Sequence, residues 1–213
     1  MVIGALTSVT VSGTFALLTS QESNARSAIA SGTLTFSNTV STGSACFSYG
    51  GPSSPGNVNS SCQALITSAT LNYPGTAAVV PVKITNDGSL DAAGLSVYMP
   101  SCTMAATPGA PSPGGANPCA VNGAQFYLQE TDSTGTPTTC WFPSSPGACT
   151  FAANSLQQFA ANVNTTSSAL SLGSGPAHGQ VRYFQVGLQL PVDASNSLQG
   201  EAAVFALTWH AST

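Results

Sequence analysis

In two runs near the end of the chain, 184–190 and 205–209, apolar residues recur at every second position. Phe184, Val186, Leu188 and Leu190 alternate with Gln185, Gly187 and Gln189; Phe205, Leu207 and Trp209 alternate with Ala206 and Thr208. A period of two puts successive side chains on opposite faces of an extended strand, so this stretch cannot form an amphipathic helix. The two runs flank a polar loop containing Gly200. They read as neighbouring antiparallel strands that close a sheet.

Upstream, the same period appears in shorter pieces. Gly32–Phe36 reads as a strand, as do 64–73, 77–85, 95–99 and 126–129. Within 77–85, Val80, Val82 and Ile84 face one way and Pro81 and Lys83 the other; a proline without an N–H suits an edge or a bulge. Asn86-Asp87-Gly88 is a turn signal. Residues 100–120 are rich in Pro, Gly and Ala and are expected to be irregular. Cys140-Trp141-Phe142 and 148–151 read as a disulfide-stapled hairpin, 155–159 as a short strand or turn, and 162–177 as a polar surface loop. Gln21–Ile29 is a short helix candidate. Many short strands between turns argue for an all-β, jelly-roll-like sandwich. The expected organisation is an extended arm over residues 1–19 and one domain over 20–213.

Composition narrows function. Charged residues make up 5% of the 213-residue chain, against ~25% in ordinary soluble domains. The three cations are Arg26, Lys83 and Arg182. Phosphate neutralisation needs clustered Lys or Arg, so nucleic acid is not an expected partner, and neither is an anionic lipid surface. A surface of Ser, Thr, Asn, Gly and Ala carries little charge to keep copies apart, which suits dense self-packing or a coat of sugar.

The six cysteines, Cys46, Cys62, Cys102, Cys119, Cys140 and Cys149, lie in Ser/Pro/Gly-rich stretches without zinc-ligand spacing. They read as disulfides, and hence as the mark of an oxidising, extracytoplasmic compartment. Six cysteines allow fifteen connectivities. The sequence-neighbour pairs Cys46–Cys62, Cys102–Cys119 and Cys140–Cys149 are favoured, each stabilising by ~3 kcal/mol in the chain-entropy picture.

The N-terminal stretch is apolar, with Val2, Ile3, Leu6, Val9, Val11, Phe15 and Leu17. It has the small, greasy character of a secretion signal without a basic leader, and Ser and Thr interrupt it too often for a membrane span. It is expected to be an ordered arm, buried in the chain's own core or in another subunit.

Three patches resemble the TasA/camelysin family of secreted, fibre-forming biofilm-matrix proteins. They are Gly13-Thr-Phe-Ala-Leu-Leu-Thr-Ser20 followed by Ala30-Ser-Gly-Thr-Leu-Thr-Phe36; Val82-Lys-Ile-Thr-Asn-Asp-Gly-Ser-Leu90; and the closing strands with Asn196-Ser-Leu-Gln-Gly200. They fall in the family's order and span most of the chain. The resemblance implies a jelly roll whose N-terminal strand can complete the sheet of the next subunit, and a head-to-tail homopolymer outside the cell that meets a membrane during secretion. The family's better-known members are Lys-rich and Cys-poor, and this chain is neither.

Chemistry-bearing constellations are sparse. His178 and His210 are the histidines, and no His-Glu-x-x-His helix frames them. His210 with Glu201 or Asp193 could hold a metal, Asp87 and Asp91 could flank calcium, and Glu130 and Asp132 form a near carboxylate pair. Each reads better as structural, and no catalytic residue, cofactor or small-molecule substrate is expected. A camelysin-type metallopeptidase and a glycan-binding adhesin working through Trp141 or Trp209 are the alternatives. Asn59 and Asn164 begin Asn-x-Ser/Thr sequons in expected loops and are candidates for glycosylation.

Overall fold

The computed structural model describes residues 32–49, 62, 75–106, 114–198 and 200–213. Gly32–Thr213 form one compact unit. The arm residues Val2, Ile3, Leu6, Val9, Val11, Phe15 and Leu17, the helix expected over Gln21–Ile29, the strand expected over 64–73 and the sequon at Asn59 lie outside the described residues.

Alternation sets most of the strands. They are β1 (Phe36–Val40), β2 (Cys46–Phe47), β3 (Ala77–Asn86), β4 (Gly94–Tyr98), β5 (Cys102–Ala106), β6 (Gln125–Thr131), β7 (Pro137–Phe142), β8 (Leu170–Ser171), β9 (Val181–Gln189), β10 (Glu201–Phe205) and β11 (Thr208–Ser212), with helix α1 at Ser155–Asn162. The fold is all-β. One antiparallel sheet has six strands in the order β2-β1-β3-β9-β6-β7; a three-stranded sheet runs β11-β4-β8, and β5 pairs with β10 as a separate ribbon. Val82 and Ile84 of β3, Phe126 and Leu128 of β6, and Phe184, Val186 and Leu188 of β9 share a core with Leu95, Val97 and Met99 from β4 and its end. Burying apolar faces of two sheets against each other is what holds such a structure together.

The closing runs part company. They do not neighbour each other as expected: β9 lies between β3 and β6, whereas β10 and β11 belong to the smaller sheets. Both runs alternate because each presents one face to the same core. Phe184 meets Trp209 with ring centroids 4.9 Å apart, and Phe126 meets Phe205 at 6.3 Å. A shared core gives two strands the same pattern without pairing them.

Four further expectations are corrected. Residues 32–35 precede the first strand, which begins at Phe36. Residues 155–159 begin a helix: Leu156, Phe159 and Val163 recur at three and four, and all are buried. Ser155 Oγ accepts the Phe126 N–H at 2.7 Å, and the Phe159 ring lies 4.9 Å from both Phe126 and Phe142. Residues 148–151 form no hairpin with β7, whose ladder partner is β6. Residues 102–106, expected to be irregular, form β5.

Pro81 sits in an interior strand, paired with Gln185 of β9. β1 ends at Val40, opposite Val82, and Ser41 N–H donates to the Pro81 carbonyl. The side of β3 on which Pro81 lacks a donor therefore faces the point where β1 has run out, so the ladder loses nothing.

Three disulfides join Cys46 to Cys62, Cys102 to Cys119 and Cys140 to Cys149. These are the sequence-neighbour pairs, and they fit an oxidising compartment. Among the described residues no helix is long and apolar enough to cross a membrane.

Candidate strand-acceptor edge

A sheet edge exposes unpaired N–H and C=O groups, and proteins ordinarily blunt it. The six-stranded sheet does so at both ends. β2 is two residues long. β7 opens with Pro137, and the loop after it turns back, so that Cys140 bridges Ser145 and bonds to Cys149.

The opposite layer is treated differently. β11 pairs with β4, and β4 with β8, which leaves the outer side of β11 without a strand among the described residues. Leu95 donates to the Gly173 carbonyl and accepts from Leu172 N–H, both on the β8 side. Ala211 stands opposite Leu95, so by antiparallel alternation its N–H and C=O point away from β4; Trp209, opposite Val97, follows suit. By contrast Ser212 turns its carbonyl inward to Ala93 N–H.

The edge continues into β10. β4–β11 and β5–β10 form one ribbon broken at 99–101 and 206–207, three residues against two. Along it Ala203, Phe205, Leu207, Trp209 and Ala211 pack on the core yet stay half-buried. Val204 is 51% exposed and Met104 43%. Among the described residues the layer thus presents a backbone edge with no strand beside it, lined by half-buried apolar side chains.

Polar candidates resolve into structural roles. Glu130 does not solvate a strand end: it points inward, where Arg182 donates to both its carboxylate oxygens and Trp141 Nε1 donates at 3.2 Å. Arg182 also donates to the carbonyls of Leu172 and Ser174. Asp132 lies in the β6–β7 turn, where the Thr134 hydroxyl, then backbone N–H groups of Thr136, Thr134 and Gly135, hold its carboxyl below the usual carboxylate range. Burial pushes the Tyr127 phenol up. That ring lies over Gly187 on the outer face, against Phe151 at 4.8 Å; a side chain at Gly187 would collide with it.

The Asn86 turn is a corner between layers. Fully buried, Asn86 donates through Nδ2 to the carbonyls of Leu90 and Pro176 and accepts Gly88 N–H on Oδ1. Asp91 accepts His178 N–H at 2.7 Å, and the His178 ring meets the Gly88 carbonyl. Glu201 accepts Gly115 N–H at 2.8 Å. Lys83 and His210 are exposed. Among the described residues no group of three or more His, Cys, Asp or Glu side chains is placed to hold a metal ion. Asn164 is exposed at the end of α1, its Nδ2 donating to the Ala161 carbonyl.

The sequence readings missed β5, the inner partner of the β10 half of this edge. Cys102-Thr-Met-Ala-Ala106 shows no alternation because four of its five residues are exposed. The signal that could have found it is its partner's register, which carries on from β11 into β10.

No protein-family model matches the chain, and no curated protein matches it in sequence.

Proposed function

We propose that this chain is the structural subunit of an extracellular filament, a secreted jelly-roll-like protein that polymerises head-to-tail by β-strand addition. The observation that carries the reading is the outer side of β10 and β11, which has no strand beside it among the described residues. Its occupant is the N-terminal arm around Val2–Leu18 of a neighbouring copy. The edge runs from Glu201 to Ser212, roughly 40 Å at 3.3–3.4 Å per residue. The arm is long enough to lie along all of it, and Val9, Val11, Phe15 and Leu17 supply apolar side chains for the half-buried flank. Backbone hydrogen bonds give such a contact its affinity and alternate side chains its register. Because arm and edge are different surfaces, the contact is heterologous and propagates. The resemblance of three ordered patches to the TasA/camelysin family supports the same reading, and the low charge content favours close packing of copies.

Deleting residues 1–16 tests it. The full chain is expected to pellet on ultracentrifugation and to show filaments by negative stain, and the deletion variant to remain monomeric. Filaments that persist without the arm sink the proposal.

A further inference from the structure

β5 and β10 form a two-stranded ribbon beyond the break in the longer ladder, pairing from Glu201↔Ala106 to Phe205↔Cys102. A lone two-stranded ribbon is marginal in water, and four of the five β5 residues are exposed. Its anchors converge on one short stretch. At the inner end Cys102 is bonded to buried Cys119. At the outer end Glu201 holds Gly115 N–H, and Ala116 N–H donates to the Ser197 carbonyl. This stretch is itself fixed: Asn117 Oδ1 accepts Cys119 N–H, and Ala124 N–H, at the entry to β6, donates to the Pro118 carbonyl. Residues 115–119 act as a strap that ties the ribbon to the base of the six-stranded sheet.

We infer that the Cys102–Cys119 disulfide is the positioning element of subunit assembly: it keeps the β10 half of the edge in line with the β11 half, so that an incoming arm meets one continuous template. This rests on the filament reading above. Cys140–Cys149 seals the covered edge and has no part in strand addition. Two disulfides of the same molecule thus divide between assembly and protection.

The test compares the full chain with Cys102→Ala/Cys119→Ala, Cys140→Ala/Cys149→Ala and Glu201→Ala, the last keeping every disulfide. Critical concentration for pelleting, thermal midpoint, and amide exchange in the pelleted material are measured for each. The expected result is a critical concentration at least tenfold higher for the Cys102/Cys119 variant and a few-fold higher for Glu201→Ala. The Cys140/Cys149 variant, though less heat-stable, should polymerise like the parent. In whatever polymer the Cys102/Cys119 variant still forms, amides of 208–212 stay protected while those of 201–205 exchange, a split that a general loss of stability does not produce. If the parent polymerises and both the Cys102/Cys119 and Glu201→Ala variants match it, with equal protection over 201–205, the inference is overturned and the filament reading stands. If the parent does not polymerise, the filament reading falls and takes the inference with it.

Discussion

The β7 edge and the β10–β11 edge face the same problem and are finished in opposite ways. β7 carries a proline at its start, a loop folded back to bridge Cys140 and Ser145, and a disulfide across that loop. Beneath it Phe142 packs on Phe159 of α1. β11 has none of these: Ala211 and Trp209 turn backbone groups outward, and their side chains are half-buried. A fold that seals one edge with several devices has the means to seal the other. Among the described residues β11 carries no such device, and that difference is what the filament proposal builds on.

The sharpest way to break this comparison is a proline on the open side. Ala211→Pro removes an N–H that points away from β4, so the β4 ladder stays whole. It is expected to cut the pelleted fraction at least tenfold while the thermal midpoint moves by a few degrees. Unchanged polymer would mean that the edge is not the acceptor. A core change on the sealed side should behave conversely. Phe159→Ala removes a ring that packs on Phe126 and Phe142, at a cost of about 3–5 kcal/mol in unfolding free energy by denaturant titration. The protein that remains folded should still polymerise. A loss of assembly larger than the loss of folded protein would erase the distinction between the two sides. The smallest effect sits in the β6–β7 turn. Since hydrogen bonds hold the folded Asp132 carboxyl below its unfolded value, the turn contributes stability above the carboxylate range and loses it as pH falls through the lower folded value. An NMR titration of that carboxyl should show a midpoint below that of an ordinary aspartate; a midpoint at or above it contradicts the turn.

What the sequence made legible is what one-sided burial imprints on it. Val82 and Ile84, and Leu95 and Val97, alternate because β3 and β4 each bury one face, and all four are buried; in β6 Tyr127 and Gln129 are buried along with Phe126 and Leu128. The three disulfide pairs were legible because each closes a short loop, with separations of 16, 17 and 9 residues. Pairing was harder. Period two says which face of β9 or β11 is buried and nothing about which strand lies beside it, so two runs with the same pattern were assigned to one sheet. α1 was missed because Leu156 and Phe159, three apart, are too few to establish a helical period before Val163 is counted. β5 was illegible for the opposite reason: a strand exposed on both faces from Thr103 to Ala106 is under no demand for alternation, and those residues show none.

Each disulfide is local, and among the described residues none ties a strand of one layer to a strand of the other. Oxidation can therefore be completed between near neighbours in sequence, with little opportunity for mispairing. The seam between the layers combines a shared apolar core, whose cohesion slackens on cooling, with hydrogen bonds from Arg182 to the Leu172 and Ser174 carbonyls and from Asn86 to the Pro176 carbonyl. Chilling should weaken the apolar part of that seam first and leave its polar ties to hold the layers together.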